Sequence, residues 1–64
     1  MVIITNYLFG SDHFALEWHN DYFYVVNTDE DLILYSGFRQ ECLDYLWDMA
    51  ATYHKFGITC REMV

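Results

Sequence analysis

Apolar and polar residues alternate through the first half of the chain, and this alternation predicts a β-rich region. β-Branched and aromatic residues are concentrated in four short segments, as is typical of strands. The segments are residues 2–9, 13–19, 22–27 and 32–35. Gly, Asn and Asp occupy the turns between them, and these residues adopt turn conformations readily. The pattern predicts a three- to four-stranded antiparallel meander.

Two turns set the predicted pairing of the middle strands. Residues 20–21 form a two-residue hairpin loop of a type that tolerates positive φ, which pairs Trp18 with Phe23. The acidic turn that follows pairs Tyr24 with Tyr35, Val25 with Leu34 and Val26 with Ile33. The predicted inner face holds Phe14, Leu16, Trp18, Phe23, Val25 and Leu34. The predicted outer face holds His13, Ala15, Glu17, His19, Tyr22, Tyr24, Val26, Ile33 and Tyr35.

The last third of the chain has the period of an amphipathic helix. Ser36 or Gly37 can cap its start, and Gly57 can end it. Trp47 lies at the margin of the apolar arc, where burial is favoured over an exposed anchor. The residues after the helix form either a short edge strand or a loose tail. One domain, 1–64, is thus divided into a β-rich region at 2–35, a helix at about 38–56 and a tail at 57–64. The predicted fold class is α+β, with the C-terminal helix packed on one face of the meander.

The charge of the chain is strongly acidic and unevenly distributed. Ten acidic residues oppose three Lys and Arg, which gives a formal net charge of −7, and no Lys or Arg precedes Arg39. Binding to nucleic-acid phosphates requires Lys and Arg, so we expect no direct nucleic-acid contact. The charge favours a partner protein with a basic surface, such as a nucleic-acid-binding protein. Solubility of an aromatic-rich domain is the alternative reason for the same acidity.

Cysteine usage and the first residues of the chain bear on its compartment. Cys42 and Cys60 do not make a disulfide scaffold, and we expect free, mostly buried thiols in a cytoplasmic protein. The first ten residues have neither a basic region nor a small-residue cleavage site, so we expect no signal peptide. No apolar run approaches the ~20 residues that cross a bilayer, and we expect no membrane contact.

The sequence contains no motif of a known enzyme or metal site. Glu17 and His19 share a strand face, and Cys42, His54 and Cys60 lie on or near the helix. Neither set has the ligand number or spacing of a closed zinc site, and a solvated face or buried thiol is the simpler interpretation. We therefore predict a protein that is not an enzyme, with no catalytic residues, no metal and no cofactor.

The outer face and the acidic turn together form the predicted contact surface. A water-facing sheet normally carries Thr, Lys, Glu and Ser, whereas this one carries tyrosine and aliphatic residues rimmed by acids, as interfaces do. Alternatively, the tyrosines only stabilise the meander through cross-strand pairs. The predicted partner-binding residues are Glu17, Asp21, Tyr22, Tyr24, Asp29, Glu30, Asp31 and Tyr35.

Two functions are compatible with these features. The first is a binding module that inhibits or modulates a protein by occupying its basic surface, with carboxylates in place of phosphates. In size and composition the chain resembles the small acidic proteins with which bacteriophages inhibit host defence and transcription systems, and this resemblance implies a viral inhibitor. The second is a structural role as a homodimer that pairs through the tyrosine face or an edge strand.

Overall fold

The computed structural model describes residues 2–63, which form one five-stranded antiparallel sheet with a helix on one face. The elements are β1 (Val2–Phe9), β2 (Asp12–His19), β3 (Tyr22–Asn27), β4 (Leu32–Gly37), α1 (Arg39–Lys55) and β5 (Cys60–Met63). The strand order across the sheet is β4-β3-β2-β1-β5. The α+β class is confirmed. The predicted three to four strands are too few, because the tail forms an edge strand beside β1.

Left-handed residues form the first two turns of the sheet. Asn20 and Asp21 have φ values of 50° and 67°, as a two-residue hairpin with both central residues left-handed requires. The pairing predicted for β2 and β3 is confirmed. At the β1–β2 turn, Gly10 has a φ of 64°, and a Cβ atom there would lie 2.7 Å from Cγ2 of Ile58. The positive φ favours glycine, and the close approach of Ile58 leaves little room for any side chain.

A β-bulge in β4 changes the predicted pairing with β3. Val26 faces Ile33 as predicted, but Val25 faces Tyr35 instead of Leu34. Leu34 is therefore the extra residue of the bulge, and it has no residue directly opposite on β3. Every pair beyond this point is displaced by one residue.

The displacement moves Tyr35 to the face that α1 covers. Its ring stacks on Tyr45 of α1, with ring centroids 5.0 Å apart and 16° between the ring planes. Tyr24 faces Ser36 across the strands rather than Tyr35. The predicted placement of Tyr35 on the outer face, paired with Tyr24, is therefore wrong.

The core lies between the sheet and α1 and is wholly apolar. Its buried members are Phe9, Phe14, Leu16, Val25, Cys42 and Leu46. Burying an aliphatic or aromatic side chain of this kind stabilises the fold by about 1.5–3 kcal/mol. Trp18, predicted to be inside, lies at the end of the sheet and is 38% exposed. Both cysteines are free thiols, with Cys42 buried and Cys60 half-buried, as predicted.

The start of α1 differs from the prediction. The N-cap is Phe38 rather than Ser36 or Gly37. Phe38 has no side-chain acceptor for the free N–H groups of the first turn. Instead, the Glu41 carboxylate accepts the Phe38 backbone N–H at 2.9 Å, which is one half of a capping box.

The end of α1 is a Schellman motif, as Gly57 predicts. Gly57 has a φ of 73° and donates its N–H to the His54 carbonyl at 2.9 Å. Ile58 donates its N–H to the Tyr53 carbonyl at 3.1 Å. In the part of the chain described, no helix has the length and apolar character that crossing a membrane requires.

Candidate functional site

The acidic turn, residues 28–31, is held in one conformation by a neighbouring side chain. Asn27 Oδ1 accepts the backbone N–H of Asp29 at 3.0 Å and that of Glu30 at 3.2 Å. This arrangement is an Asx turn, in which a side chain replaces a backbone acceptor. Asp31 completes the turn with a left-handed φ of 52°. The backbone that carries the three acids is therefore fixed within the turn itself.

His13 of β2 binds the same turn from the adjacent strand. Its backbone N–H donates to Asp29 Oδ2 at 3.0 Å, and its imidazole Nδ1 lies 3.1 Å from Asp29 Oδ1. Its carbonyl accepts the Thr28 N–H at 3.0 Å. The backbone hydrogen bond from His13, followed by the side-chain one, lowers the pKa of Asp29 below its ordinary 3.8. Asp29 thus helps to hold the turn together.

Glu30 and Asp31 have no such structural role. Both residues are exposed. Among residues 2–63, the His13–Asp29 contact is the only one within 4.0 Å between a basic and an acidic side chain, and that range contains all ten acids and all three Lys and Arg. The other nine carboxylates have no basic side chain within 4.0 Å. The carboxylates of Glu30 and Asp31 are therefore available for an external cation.

The predicted partner-binding residues do not form a single patch. Asp21 lies at the β2–β3 turn, and the six residues of β3 separate it from the acidic turn by about 20 Å. Tyr35 lies under α1. On the open face, Glu17 and Tyr24 face each other and are both half-buried, and Tyr22 is 52% exposed. The acidic turn and the remaining tyrosines are thus distinct surfaces.

The open face of the sheet is less accessible at its centre than the sequence predicts. One row of residues crosses all five strands on this face: Ile33, Val26, Ala15, Asn6 and Met63. Ala15 and Val26 are buried although α1 lies on the other face. Ile33 and Met63, at the two ends of the row, are 54% and 39% exposed. Apolar contact area is therefore available at the edges of the sheet.

Trp47 is the largest departure from the predicted core. It is 77% exposed, whereas burial was favoured from its position on the apolar arc. It borders an apolar groove of about 270 Å³ between α1 and the β1–β5 edge. The groove is lined mainly by Tyr7, Leu43, Trp47, Ala50, Cys60 and Arg61. Trp47 is therefore exposed, and the favoured prediction that it is buried is wrong.

No candidate metal-binding cluster accompanies these surfaces in the described part of the chain. Over residues 2–63, no three His, Cys, Asp or Glu side chains converge closely enough to hold a metal ion. Comparisons of the chain with protein-family models, curated proteins and solved structures found no match. The chain is a small α+β domain whose acidic turn is hydrogen-bonded to Asn27 and to His13.

Proposed function

We propose that this chain is a small protein-binding module that inhibits or modulates a partner by occupying the partner's basic surface. The observation that supports this function is the pair of free carboxylates, Glu30 and Asp31, on a turn fixed by Asn27 and His13. Groups that are already ordered lose little conformational freedom when they bind. Charges of this kind chiefly speed association and select the partner.

Apolar area directly beside the turn supports the same function. Leu32 and Ile33 follow the turn on β4 and are 50% and 54% exposed. Protein interfaces combine an apolar centre with a polar rim. Within one hairpin, Leu32 and Ile33 supply the apolar area, and the carboxylates of the turn supply the polar rim. The module acts by contact alone, without a catalytic step or a cofactor.

The chemistry of the turn defines the kind of partner. Closely spaced carboxylates bind Lys and Arg through charge-assisted hydrogen bonds. Proteins that bind nucleic acids present such residues to phosphates, so the module would compete with nucleic acid for the same surface. A viral inhibitor of a host defence or transcription protein is one instance of this function.

A matched pair of double variants tests the proposal. Glu30→Gln with Asp31→Asn removes the two free charges of the turn, and Asn tolerates the left-handed φ at position 31. Asp21→Asn with Glu62→Gln removes the same charge elsewhere, and position 21 is likewise left-handed. Both variants keep Asp29 and the hydrogen bonds that order the turn.

The measurement is affinity capture from lysate of the cells in which the protein acts, at low and moderate salt, for the unmodified chain and both variants. We expect a basic protein that is retained by the unmodified chain and by the Asp21/Glu62 variant. The same protein should be lost with the Glu30/Asp31 variant and at moderate salt. Retention of the same proteins by both variants, or capture that salt does not weaken, would contradict the proposal.

A further inference from the structure

Three stretches of the sheet have no strand neighbour on one side within residues 2–63. They are the outer edges of β4 and β5 and the first part of β1. β5 pairs only with Asn6–Phe9 of β1, so it leaves Val2–Ile4 uncovered. Open edges are templates for pairing with another chain, and proteins usually protect them with charge.

The β4 edge is protected against self-pairing by acids at both of its ends. The acidic turn precedes β4, and at the other end the Glu41 carboxylate accepts the backbone N–H of Phe38, the residue after β4 ends at Gly37. Antiparallel pairing with a second copy would bring the acidic turn of one chain against Glu41 of the other. Like charges so placed are destabilising.

The β5 edge is protected by its own sequence. Two-fold antiparallel pairing of a strand with itself places one residue directly opposite its own copy. In Cys60–Met63 the two central residues are Arg61 and Glu62. A two-fold axis at Arg61 places two positive charges directly opposite each other, and an axis at Glu62 places two negative charges opposite each other. Both arrangements are destabilising.

The first part of β1 has no such protection. No charged or proline residue occurs among residues 1–11. Val2, Ile3 and Ile4 are 55%, 53% and 47% exposed, so three neighbouring aliphatic side chains face solvent at an open edge. A shallow groove of about 340 Å³ adjoins them, and Glu62 and Met63 line its side at the end of β5.

We propose that a second copy of the chain covers this segment. Val2–Ile4 pairs antiparallel with Val2–Ile4 of the second copy about a two-fold axis at Ile3, so that two five-stranded sheets join edge to edge. Each β5 then lies in line with β1 of the other copy, because β5 ends where the open part of β1 begins. Because β5 covers only the second part of β1, the open first part of β1 in one copy can pair with the same part in the other copy.

The acidic turn does not oppose this contact, although each copy carries −7. The acids nearest the segment are Glu17, opposite Ile3 on β2, and Glu62 beside the groove. The acidic turn lies on β4, three strands away from β1 and at the opposite end of the strands. Charges further apart than about 8 Å are largely screened at physiological ionic strength. Ile4 is the extra residue of a β-bulge against β2, which shortens the pairing. The strand pairing is limited to three residues of each copy, against roughly 20–30 residues a side in a standard interface, so the dimer forms only at high concentration.

Sedimentation equilibrium over a concentration series that reaches the millimolar range tests the proposal. Ile3→Lys places a charge at the proposed two-fold axis. Ile33→Lys is the matched control, because Ile33 is 54% exposed against 53% for Ile3 and also lies at an edge of the sheet. Ile3→Thr, which keeps a β-branched side chain, is the second variant if Ile3→Lys does not fold.

We expect the unmodified chain and Ile33→Lys to dimerise as concentration rises, and Ile3→Lys to stay monomeric. Added salt should leave the dimer unchanged or strengthen it, since it screens the repulsion between two acidic chains. A monomer at every concentration, or equal dimerisation of all variants, would overturn the proposal. The outcome is separate from the proposed function, because Ile3→Lys leaves the acidic turn intact.

Discussion

The hydroxyl of Tyr53 donates a hydrogen bond to Asp12 Oδ2 across 2.7 Å, and this bond joins α1 to the first residue of β2. The Tyr53 ring also packs on Phe9 and Phe14, with ring centroids 5.5 Å and 6.2 Å away. The next residue, His13, binds the acidic turn. Adjacent residues of β2 therefore fix the helix and the turn to the same end of the sheet.

Replacing Tyr53 with Phe should change both stability and its dependence on pH. The hydrogen bond to Asp12, and then burial, raise the pKa of Tyr53 from 10.0 to about 12. The folded state holds the proton more tightly, so this stabilisation is complete below pH 10 and is lost as pH rises from about 10 to about 12. Tyr53→Phe should lower the free energy of unfolding by about 2 kcal/mol at neutral pH.

Urea denaturation of both proteins at a series of pH values measures the effect. Other tyrosines titrate in the same range, so the informative quantity is the difference between the two curves. This difference should shrink between pH 10 and pH 12. A constant difference across that window would show that the bond to Asp12 does not control the ionisation of Tyr53.

Two glycines with similar backbone angles should respond differently to alanine. Gly57 has a φ of 73° and no atom within 4 Å of an added Cβ. Gly57→Ala should therefore lower the free energy of unfolding only by the cost of a left-handed alanine, about 1–2 kcal/mol. Gly10→Ala adds a clash with Ile58 and should be more destabilising. The double variant Gly10→Ala, Ile58→Ala should recover the part of the lost stability that comes from the clash between residue 10 and Ile58. Equal losses for Gly10→Ala and Gly57→Ala in urea denaturation would contradict the close approach.

Leu46 and Trp47 are neighbours in sequence with opposite environments. Leu46 is 4% exposed and belongs to the core, so Leu46→Ala should lower the free energy of unfolding by about 3 kcal/mol. Trp47→Ala should change it by no more than about 0.5 kcal/mol, as is usual at exposed positions. In a Trp18→Phe background, acrylamide should readily quench the remaining Trp47 fluorescence. Protected fluorescence, or a loss on Trp47→Ala as large as that of Leu46→Ala, would place Trp47 in the core.

The parts of the fold that local chemistry determines could be predicted from the sequence, and the β4 register could not. The hairpin at 20–21 follows from two residues that tolerate left-handed backbone, and Gly57 ends α1 for a related reason. The bulge at Leu34 has no signal of its own, because the segment is apolar on both sides of it. It coincides with the stack of Tyr35 on Tyr45, a contact between separate elements.

The candidate site was predicted in composition but not in arrangement. The three acids of the turn can be read from the sequence, whereas their division into one structural acid and two free ones depends on the contact of Asp29 with His13. A signal for that contact existed, since the register of the β2–β3 hairpin brings His13 to the start of the turn. The exposure of Trp47 could not be derived, because a residue at the margin of an apolar arc can face either way.

The most direct test of the central claim, that the acidic turn recognises positive charge, is an NMR titration with a lysine-rich peptide. Backbone amide shifts should be largest at residues 28–33, and should be smaller at the exposed acids Asp21, Asp44 and Asp48. The shifts should disappear in added salt and in the Glu30→Gln, Asp31→Asn variant. Shifts spread evenly over all exposed acids, or centred on Asp44 and Asp48 of α1, would contradict the account.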